Sequence, residues 1–287
     1  MRTPKRQHGF TLIELVVTLV ISTIVIAFVS LFITGPVQGF ADQSRRVRLV
    51  DAADLALDRI GRDIRRSLPN SVRMTSSAGG TALELLSTVD GARYRAQPPG
   101  MAADVLDFAG PDALFSTLGP FTQVAKPFSR ADHYLAVYNV GVPGANAYEL
   151  ANVITPQNTT ITITAGSLPG EDRVTLSAPF RFAYPSPTQR VFLVNGPVTY
   201  LCNTVLGTLT RYQSYGIESN QAAVDTHGEL LANGASASLM ATQVTGCAFD
   251  YTPGTAERAG LVSVQIVVSA QGETVSLLSQ IHVDNAP

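Results

Sequence analysis

An apolar run from Leu15 to Ile33 constrains this 287-residue chain more than any other feature of its sequence. The run consists of Leu, Val, Ile, Phe, Ala, Thr and Ser, and Glu14 is the only charged residue between His8 and Asp42. About 20 residues in an α-helix, at ~1.5 Å each, cross a hydrocarbon core of ~30 Å. Such a helix is insoluble in water, so the run predicts a segment that lies in lipid or in a bundle of helices.

The short segment before this run is basic. Residues 1–9 contain Arg2, Lys5 and Arg6 and no acidic residue, and positive residues stay on the cytoplasmic side of a membrane. This asymmetry predicts that the C-terminal bulk of the chain is exported. A secretory signal peptide has a shorter apolar region and a small-residue cleavage site, which this run lacks. An uncleaved membrane anchor fits the hydropathy, but it leaves the costly carboxylate of Glu14 without a purpose.

The residues at the junction form a specific motif. The sequence Gly9-Phe10-Thr11-Leu12-Ile13-Glu14 resembles the processing site of type IV prepilins and of type II secretion pseudopilins. The resemblance implies that a prepilin peptidase cuts after Gly9 on the cytoplasmic face and methylates the new amino group of Phe10. It also implies that Glu14 docks on the Phe10 amine of a neighbouring subunit in a filament. Glycine at the cut permits close approach of the peptidase backbone.

The helix is expected to continue beyond the apolar run in an amphipathic form. Residues 42–68 contain seven Arg, five Asp and apolar positions spaced by three or four residues, namely Val47, Val50, Ala53, Leu57, Ile60, Ile64 and Leu68. This spacing predicts one apolar stripe that packs on a globular domain. The other faces are expected to be solvated, with ion pairs such as Asp63–Arg66. Gly35-Pro36 predicts a kink or a melted stretch, and Pro69 predicts the end of the helix.

The rest of the chain predicts a β-rich domain, because short β-branched or alternating runs recur between turns rich in Pro and Gly. Val89-Asp90-Gly91 predicts a hairpin turn, and residues 261–270 and 274–283 predict a second hairpin around Gln271-Gly272-Glu273. The expected fold class is α+β: a long N-terminal pilin helix, with a membrane half and an amphipathic half, packs on an elaborated antiparallel β-sheet head. The predicted domains are the leader 1–9, the membrane half 10–41, the amphipathic half 42–68 and the head 69–287.

The charge and the residue content argue against several classes of function. The predicted head has 10 basic and 16 acidic residues, so we expect no nucleic-acid partner. The sequence lacks a nucleophile elbow, a P-loop, a dinucleotide-binding motif and a zinc-protease motif. His133, His227 and His282 are far apart in the sequence, and acidic pairs such as Asp104–Asp107 leave calcium binding open. We predict no catalytic residue, no cofactor and no metal site, and hence no enzyme.

The two cysteines, Cys202 and Cys247, lie in the part of the chain predicted to be exported, where oxidation is permitted. Two cysteines are too few for a four-cysteine zinc site, and the lack of a C-x-x-C motif argues against redox catalysis. A bridge between them closes a loop long enough for chain-entropy arguments to assign it ~4 kcal/mol. We therefore predict a structural disulfide.

Several segments also resemble one family of pilus proteins. They are residues 58–73, Tyr200-Leu201-Cys202, Cys247-Ala248-Phe249-Asp250-Tyr251 and the final residues 282–287. These segments resemble the MshO family of MSHA pilus biogenesis proteins. The resemblance implies a minor pilin that takes part in the assembly of an MSHA-type type IV pilus, in an initiation or tip complex. A J-type minor pseudopilin of a type II secretion system and a tip adhesin are the alternatives.

The same resemblance implies partners and a location. The expected partners are the prepilin peptidase and methyltransferase, other minor and major pilins, the inner-membrane assembly platform, and membrane lipid before assembly. The chain is expected in the inner membrane through its single N-terminal helix, with a periplasmic head, and then in the pilus at its tip. A head as large as residues 69–287 fits a tip better than a slender repeating fibre.

Overall fold

The protein is described by a computed structural model that covers residues 9–98, 104–254, 259–283 and 285. Contacts divide the chain into two units, residues 1–48 and 49–287, and helix α1, Leu12–Arg65, contributes to both. This division falls inside α1, and the domain boundaries expected from the sequence stay predictions. The fold is α+β with a head made mostly of antiparallel sheets, which confirms the expected fold class.

The described strands, numbered in chain order, are β1 Arg73–Ser77, β2 Gly80–Arg93, β3 Asp112–Thr117, β4 Phe128–Arg130, β5 Tyr134–Ala136, β6 Ile161–Ala165, β7 Asp172–Phe180, β8 Arg190–Asn203, β9 Thr208–Gln213, β10 Ser236–Thr242, β11 Val244–Thr252, β12 Gly260–Ala270 and β13 Glu273–Val283. Two 3₁₀ helices, Ala147–Glu149 and Gln221–Ala223, and a short helix α2, His227–Ala232, lie between strands. The main sheet has the order β1-β2-β8-β9-β10, with β5 also paired to β8. The C-terminal sheet is β11-β12-β13, and the small sheet is β3-β7-β6-β4.

The second half of α1 packs against strands of the main and C-terminal sheets. It forms one core cluster with strand residues such as Leu83 and Val264. The helix residues in this cluster are Leu49, Ala53, Ala56, Leu57, Ile60 and Ile64. The predicted stripe is confirmed at Ala53, Leu57, Ile60 and Ile64, and Val50 packs partly buried against the same cluster. Leu68 is buried in another cluster beyond the end of the helix. Val47 is exposed, and Leu49 is buried in its place. The helical period explains the difference, because Leu49, and not Val47, lies four residues before Ala53.

Helix α1 includes Gly35 and Pro36 and ends at Arg65. The melted stretch expected at Gly35-Pro36 is therefore absent, since proline removes one helical hydrogen bond and the residues on both sides continue the helix. The helix also ends earlier than Pro69 requires. The N–H of Leu68 already donates to the carbonyl of Leu86 in β2 at 2.7 Å, so the chain has entered the main sheet before it reaches the proline.

Asp63 of α1 lies in a buried ion cluster between this helix and strands β8 and β9. Its Oδ2 accepts hydrogen bonds from the Tyr200 hydroxyl and from Arg211 Nε, both at 2.7 Å, and its Oδ1 lies 3.5 Å from Arg59 Nε. Burial raises the pKa of the Tyr200 phenol, and the neighbouring carboxylate raises that pKa further. The solvated pair Asp63–Arg66 expected from the sequence is wrong, because Asp63 is only 8% exposed and binds side chains of β8 and β9.

Strands β2 and β8 have 14 residues each, and the two halves of this pair contribute to two different core clusters. The half of the pair near Leu83 packs with α1, and the half near Leu193 packs with the small sheet. Between the halves, the register shifts at Val89 in β2 and at Asn195 in β8, and such bulges bend a strand. The hairpin expected at Val89-Asp90-Gly91 is therefore wrong, since these residues lie inside β2.

The second predicted hairpin is confirmed. Strands β12 and β13 pair without a register shift from Gly260–Val283 to Ala270–Glu273. The two residues between them, Gln271 and Gly272, have φ of 50° and 89°. Two consecutive positive φ angles are what a type I′ turn requires, and this turn matches the twist of the strands on either side.

Cys202 of β8 and Cys247 of β11 form a disulfide, which joins the main sheet to the C-terminal sheet. Cys202 is buried in the cluster that contains the second half of α1, and Cys247 packs against the same cluster. The bridge therefore cross-links the two sheets that cover this half of the helix.

We expect the double variant Cys202→Ala/Cys247→Ala to be less stable than the wild type. The bridge closes a sequence separation of 45 residues, for which chain-entropy arguments give ~4 kcal/mol. Urea unfolding of the full chain in detergent micelles, followed by circular dichroism, measures the difference. Reduced wild-type protein is the control and should resemble the double variant. Equal free energies of unfolding for the oxidised wild type and the variant would contradict a stabilising role.

In the Asp63 cluster, we expect the loss of one charge to destabilise the head more than the loss of both. Asp63→Leu leaves Arg211 buried without its carboxylate, and an unpaired buried charge costs about 3–5 kcal/mol. The variant Asp63→Leu/Arg211→Leu removes both charges and should be more stable than either single variant. The free energies of unfolding of these four proteins form a double-mutant cycle. Strictly additive losses would show that the two side chains are not coupled.

Candidate membrane and assembly segment

The first part of α1 is apolar and uncovered. The segment Leu12–Ser30 has a mean hydropathy of 2.7, and none of it is buried within the structure. Its 19 residues extend over about 28 Å at the α-helical rise, which is close to the thickness of a hydrocarbon core. Length and composition therefore allow this helix to cross a membrane. Signal sequences share these properties, so the residues at its start decide between the two.

The hydroxyl groups inside this segment bond to their own helix. Thr18 Oγ1 donates to the carbonyls of Glu14 and Leu15 at 2.8 and 2.9 Å, and Thr23 Oγ1 donates to the carbonyl of Leu19 at 2.7 Å. A polar group without a partner in lipid costs several kcal/mol. These bonds therefore let both threonines enter a hydrocarbon layer without help from another chain.

Thr11 and Glu14 form a capping box at the start of α1. The N–H of Glu14 donates to Thr11 Oγ1 at 3.3 Å, while Thr11 donates from its N–H and its hydroxyl to Glu14 Oε2 at 3.1 and 3.0 Å. This arrangement satisfies backbone donors that the first turn of a helix leaves without partners. Both bonds to the carboxylate use Oε2, and within the described residues Oε1 accepts none. The interpretation of the sequence missed this box, although the spacing Thr-x-x-Glu indicates it.

Gly9 and Phe10 precede α1 in non-helical backbone, and both are exposed. Among the described residues other than its neighbours in the chain, no atom lies within 4 Å of a Cβ placed on Gly9. The fold of this chain itself therefore does not require glycine at this position. Phe10 is 76% exposed. Residues 1–8 of the expected leader lie outside the described residues.

The structure separates the predicted site residues into two groups. Gly9, Phe10 and Glu14 lie together at the start of α1, whereas Cys202 and Cys247 are bonded in the head. In residues 9–98, 104–254, 259–283 and 285, no group of three or more His, Cys, Asp or Glu side chains is arranged to hold a metal ion.

Residues 4–30 match the family of the prokaryotic N-terminal methylation motif, which is type IV prepilin-like. The chain carries a type IV pilin-like N-terminal motif. This motif supports a pilin or pseudopilin, a structural class of protein, and it implies processing by a prepilin peptidase and assembly with pilins in general. Together with the apolar helix, it indicates anchoring in a membrane. No curated protein and no solved structure matches the chain.

Proposed function

We propose that this protein is a minor pilin that takes part in assembling an MSHA-type type IV pilus, in an initiation or tip complex. The methylation motif at residues 4–30 is the observation that carries the proposal. The resemblance of residues 58–73 and of the segments around Cys202 and Cys247 to the MshO family supports a pilus. A J-type minor pseudopilin shares the motif, so the experiments below also test for a secretion pseudopilus.

In this proposal, a prepilin peptidase cuts between Gly9 and Phe10 and methylates the amino group of Phe10. Both residues are exposed and lie outside the helix, so a peptidase reaches the bond without unwinding α1. The basic leader 1–9 keeps this end on the cytoplasmic side. In this proposal the chain is a substrate of the peptidase, and we propose no catalytic residue, cofactor or metal for it.

The proposed domains follow from which part of α1 is exposed and which part packs on the sheets. The membrane half, residues 10–41, spans the inner membrane with the periplasmic head, residues 69–287, on its other side. The amphipathic half, residues 42–68, connects the two. All the described side chains of Leu12–Ser30 are uncovered, so they accept lipid before assembly. They accept the helices of other minor and major pilins after the inner-membrane assembly platform extracts the chain.

Glu14 has the chemistry for docking a neighbour. Its Oε2 holds Thr11, whereas the second carboxylate oxygen is available to the methylated Phe10 amine of an adjacent subunit. A charge-assisted bond between an ammonium and a carboxylate is stronger than a neutral one, and lipid or packed helices around it reduce screening by water. The pair would fix the axial position of one subunit against the next.

We expect Gly9→Val to prevent processing, because a side chain at the cut blocks approach of the peptidase. Mass spectrometry of the membrane protein should find a chain that still begins at Met1, whereas the wild type begins at methylated Phe10. The matched control is Gly39→Val, since the position of a Cβ on Gly39 is as open as that on Gly9. Normal processing of Gly9→Val, or loss of processing in Gly39→Val, would contradict the proposed cut.

We expect Glu14→Leu to lower the incorporation of this subunit into pili at least about tenfold, the equivalent of ~1.4 kcal/mol. Thr11→Val is the matched variant. It removes the hydroxyl of the capping box, a loss of about 1 kcal/mol of helix stability, but it keeps the carboxylate and should assemble nearly normally. Immunoblots of sheared pili from the native host, normalised to processed subunit in the membrane, measure both. Equal losses of incorporation in the two variants would show that Glu14 acts only as part of the helix cap, and would overturn the docking proposal.

The same cell fractions decide between pilus and pseudopilus. We expect the wild-type subunit in sheared MSHA-type pili, and we expect pilus number to fall when its gene is deleted. Recovery of the subunit with a type II secretion pseudopilus, together with a secretion defect and normal pili, would favour the J-type pseudopilin. Normal pili that fail only to attach would favour the tip adhesin.

A further inference from the structure

Strand β13 forms a free edge of the C-terminal sheet. In the order β11-β12-β13 it pairs with β12 alone, and this pairing has no register shift. Within the part of the chain that the structure describes, no other backbone group bonds to the backbone of residues 274–283. The strand has 11 residues, whereas the usual length of a strand is about five or six. Its edge is therefore a long and regular row of peptide groups without a strand partner.

The turn before β13 fixes which residues present their peptide groups at this edge. Residues that flank a two-residue turn form a hydrogen-bonded pair, and such pairs alternate along an antiparallel ladder. Because Ala270 and Glu273 flank the turn, the odd-numbered residues of β13 bond to β12. The five even-numbered residues from Thr274 to His282 therefore direct their N–H and C=O groups away from β12. The side chains of these five residues are all exposed.

This edge lacks the features that usually prevent one strand from pairing with another chain. Edge strands are commonly protected by charged residues, by proline, by bulges or by their short length. Residues 274–283 contain no Lys, Arg, Asp, Glu or Pro. Strand β10, at the edge of the main sheet, has only 7 residues and a register shift between Leu239 and Ala241. Of these two edges, β13 is the longer and more regular one, and it is open to the addition of a strand.

The sequence of β13 is complementary to itself. Leu278 is the central residue of the strand, and it is 63% exposed. When two β13 strands pair antiparallel about a two-fold axis at Leu278, this residue lies opposite its own copy. Ser276 then lies opposite Gln280. Thr274 lies opposite His282, so no like charges meet. A shift of the axis by two residues places Leu278 opposite Thr274 or His282, so only the central register lets the two exposed leucines cover each other.

The same register satisfies the peptide groups of the edge. It forms five pairs of outward-directed residues, each of which exchanges two N–H···O bonds, so the contact has about ten hydrogen bonds. A typical protein–protein interface has ~10 ± 5 hydrogen bonds. Because each copy uses the same surface, the contact is closed and yields a dimer.

We propose that β13 binds β13 of a second copy of this chain, antiparallel and centred on Leu278, and so joins two C-terminal sheets into one continuous sheet. The match of Leu278 with its own copy favours this occupant, because a strand of unrelated sequence has no reason to place an apolar residue at that position. The surface lies in the head, and the proposal does not depend on how the N-terminus is processed or assembled.

A disulfide trap tests both the contact and its register. The two native cysteines are bonded to each other, so a cysteine introduced in β13 has no free thiol of its own chain to react with. In the proposed dimer the two Cα atoms of residue 278 lie about 5.5 Å apart, within the ~4.4–6.8 Å that a disulfide spans. We expect oxidation of the full-length Leu278→Cys protein in detergent micelles to convert most of it to a covalent dimer, measured by non-reducing electrophoresis.

The matched control is Ser276→Cys. Its two copies would be offset by four residues, or about 13 Å along the strands, and should not bridge. A mixture of Ser276→Cys and Gln280→Cys chains should bridge, because these two positions lie opposite each other. Absence of the dimer in Leu278→Cys, or an equal yield in Ser276→Cys alone, overturns the proposal. Cross-linking of Leu278→Cys in native membranes to a different protein, without a homodimer, would overturn it in favour of another subunit.

A second pair of variants tests the reversible association. Leu278→Lys places like charges opposite each other at the two-fold axis, and it should weaken self-association of the full chain in micelles at least about tenfold, measured by sedimentation equilibrium. Leu239→Lys is the control, because Leu239 is 60% exposed on the edge strand β10, and it should associate like the wild type. Both variants keep the N-terminal helix, so contacts through that helix are the same in each. Unchanged association in Leu278→Lys, or an equal loss in Leu239→Lys, rejects the β13 contact.

Discussion

An uncovered apolar helix is the constraint on which the rest of this molecule depends. No part of Leu12–Ser30 is buried within the chain, and apolar surface left in water costs about 25 cal/mol per Å². The segment therefore needs lipid or other helices at every stage of its existence. Thr18 and Thr23 fit both surroundings because their hydroxyls bond within the helix. The proposed function amounts to an exchange of one apolar environment for another, and the head must fold independently of which one is present.

The head achieves this independence by using the other half of the same helix, and the sequence predicted only part of how it does so. The buried stripe from Ala53 to Ile64 could be predicted because its period is local. The role of Asp63 could not, since its partners Tyr200 and Arg211 lie 137 and 148 residues away. The local sequence around a charged residue beside an apolar stripe is the same whether its side chain contacts water or a buried arginine.

Turn signals show the same limit. Asp90-Gly91, Asn195-Gly196 and Gln271-Gly272 all indicate tight turns locally, yet only the last connects two strands. The others lie at bulges in the long β2–β8 pair, where Gly196 adopts φ of 109°. Which outcome occurs depends on a strand about 100 residues away and therefore on long-range pairing. The same pairing sets Arg93 opposite Arg190, which no local pattern in the sequence could predict.

The N-terminal motif, by contrast, could be predicted because all its residues are contiguous, and its one missed feature changes the argument about Glu14. An isolated carboxylate in lipid is costly, but Thr11 already donates two hydrogen bonds to Oε2. Before assembly, the Glu14 carboxylate would therefore already have hydrogen-bond partners in the membrane. An amine arriving from a neighbour at the second oxygen would add an interaction without replacing one. In the proposed docking, the charge pair would form without first breaking the cap, and this would favour assembly over storage in lipid.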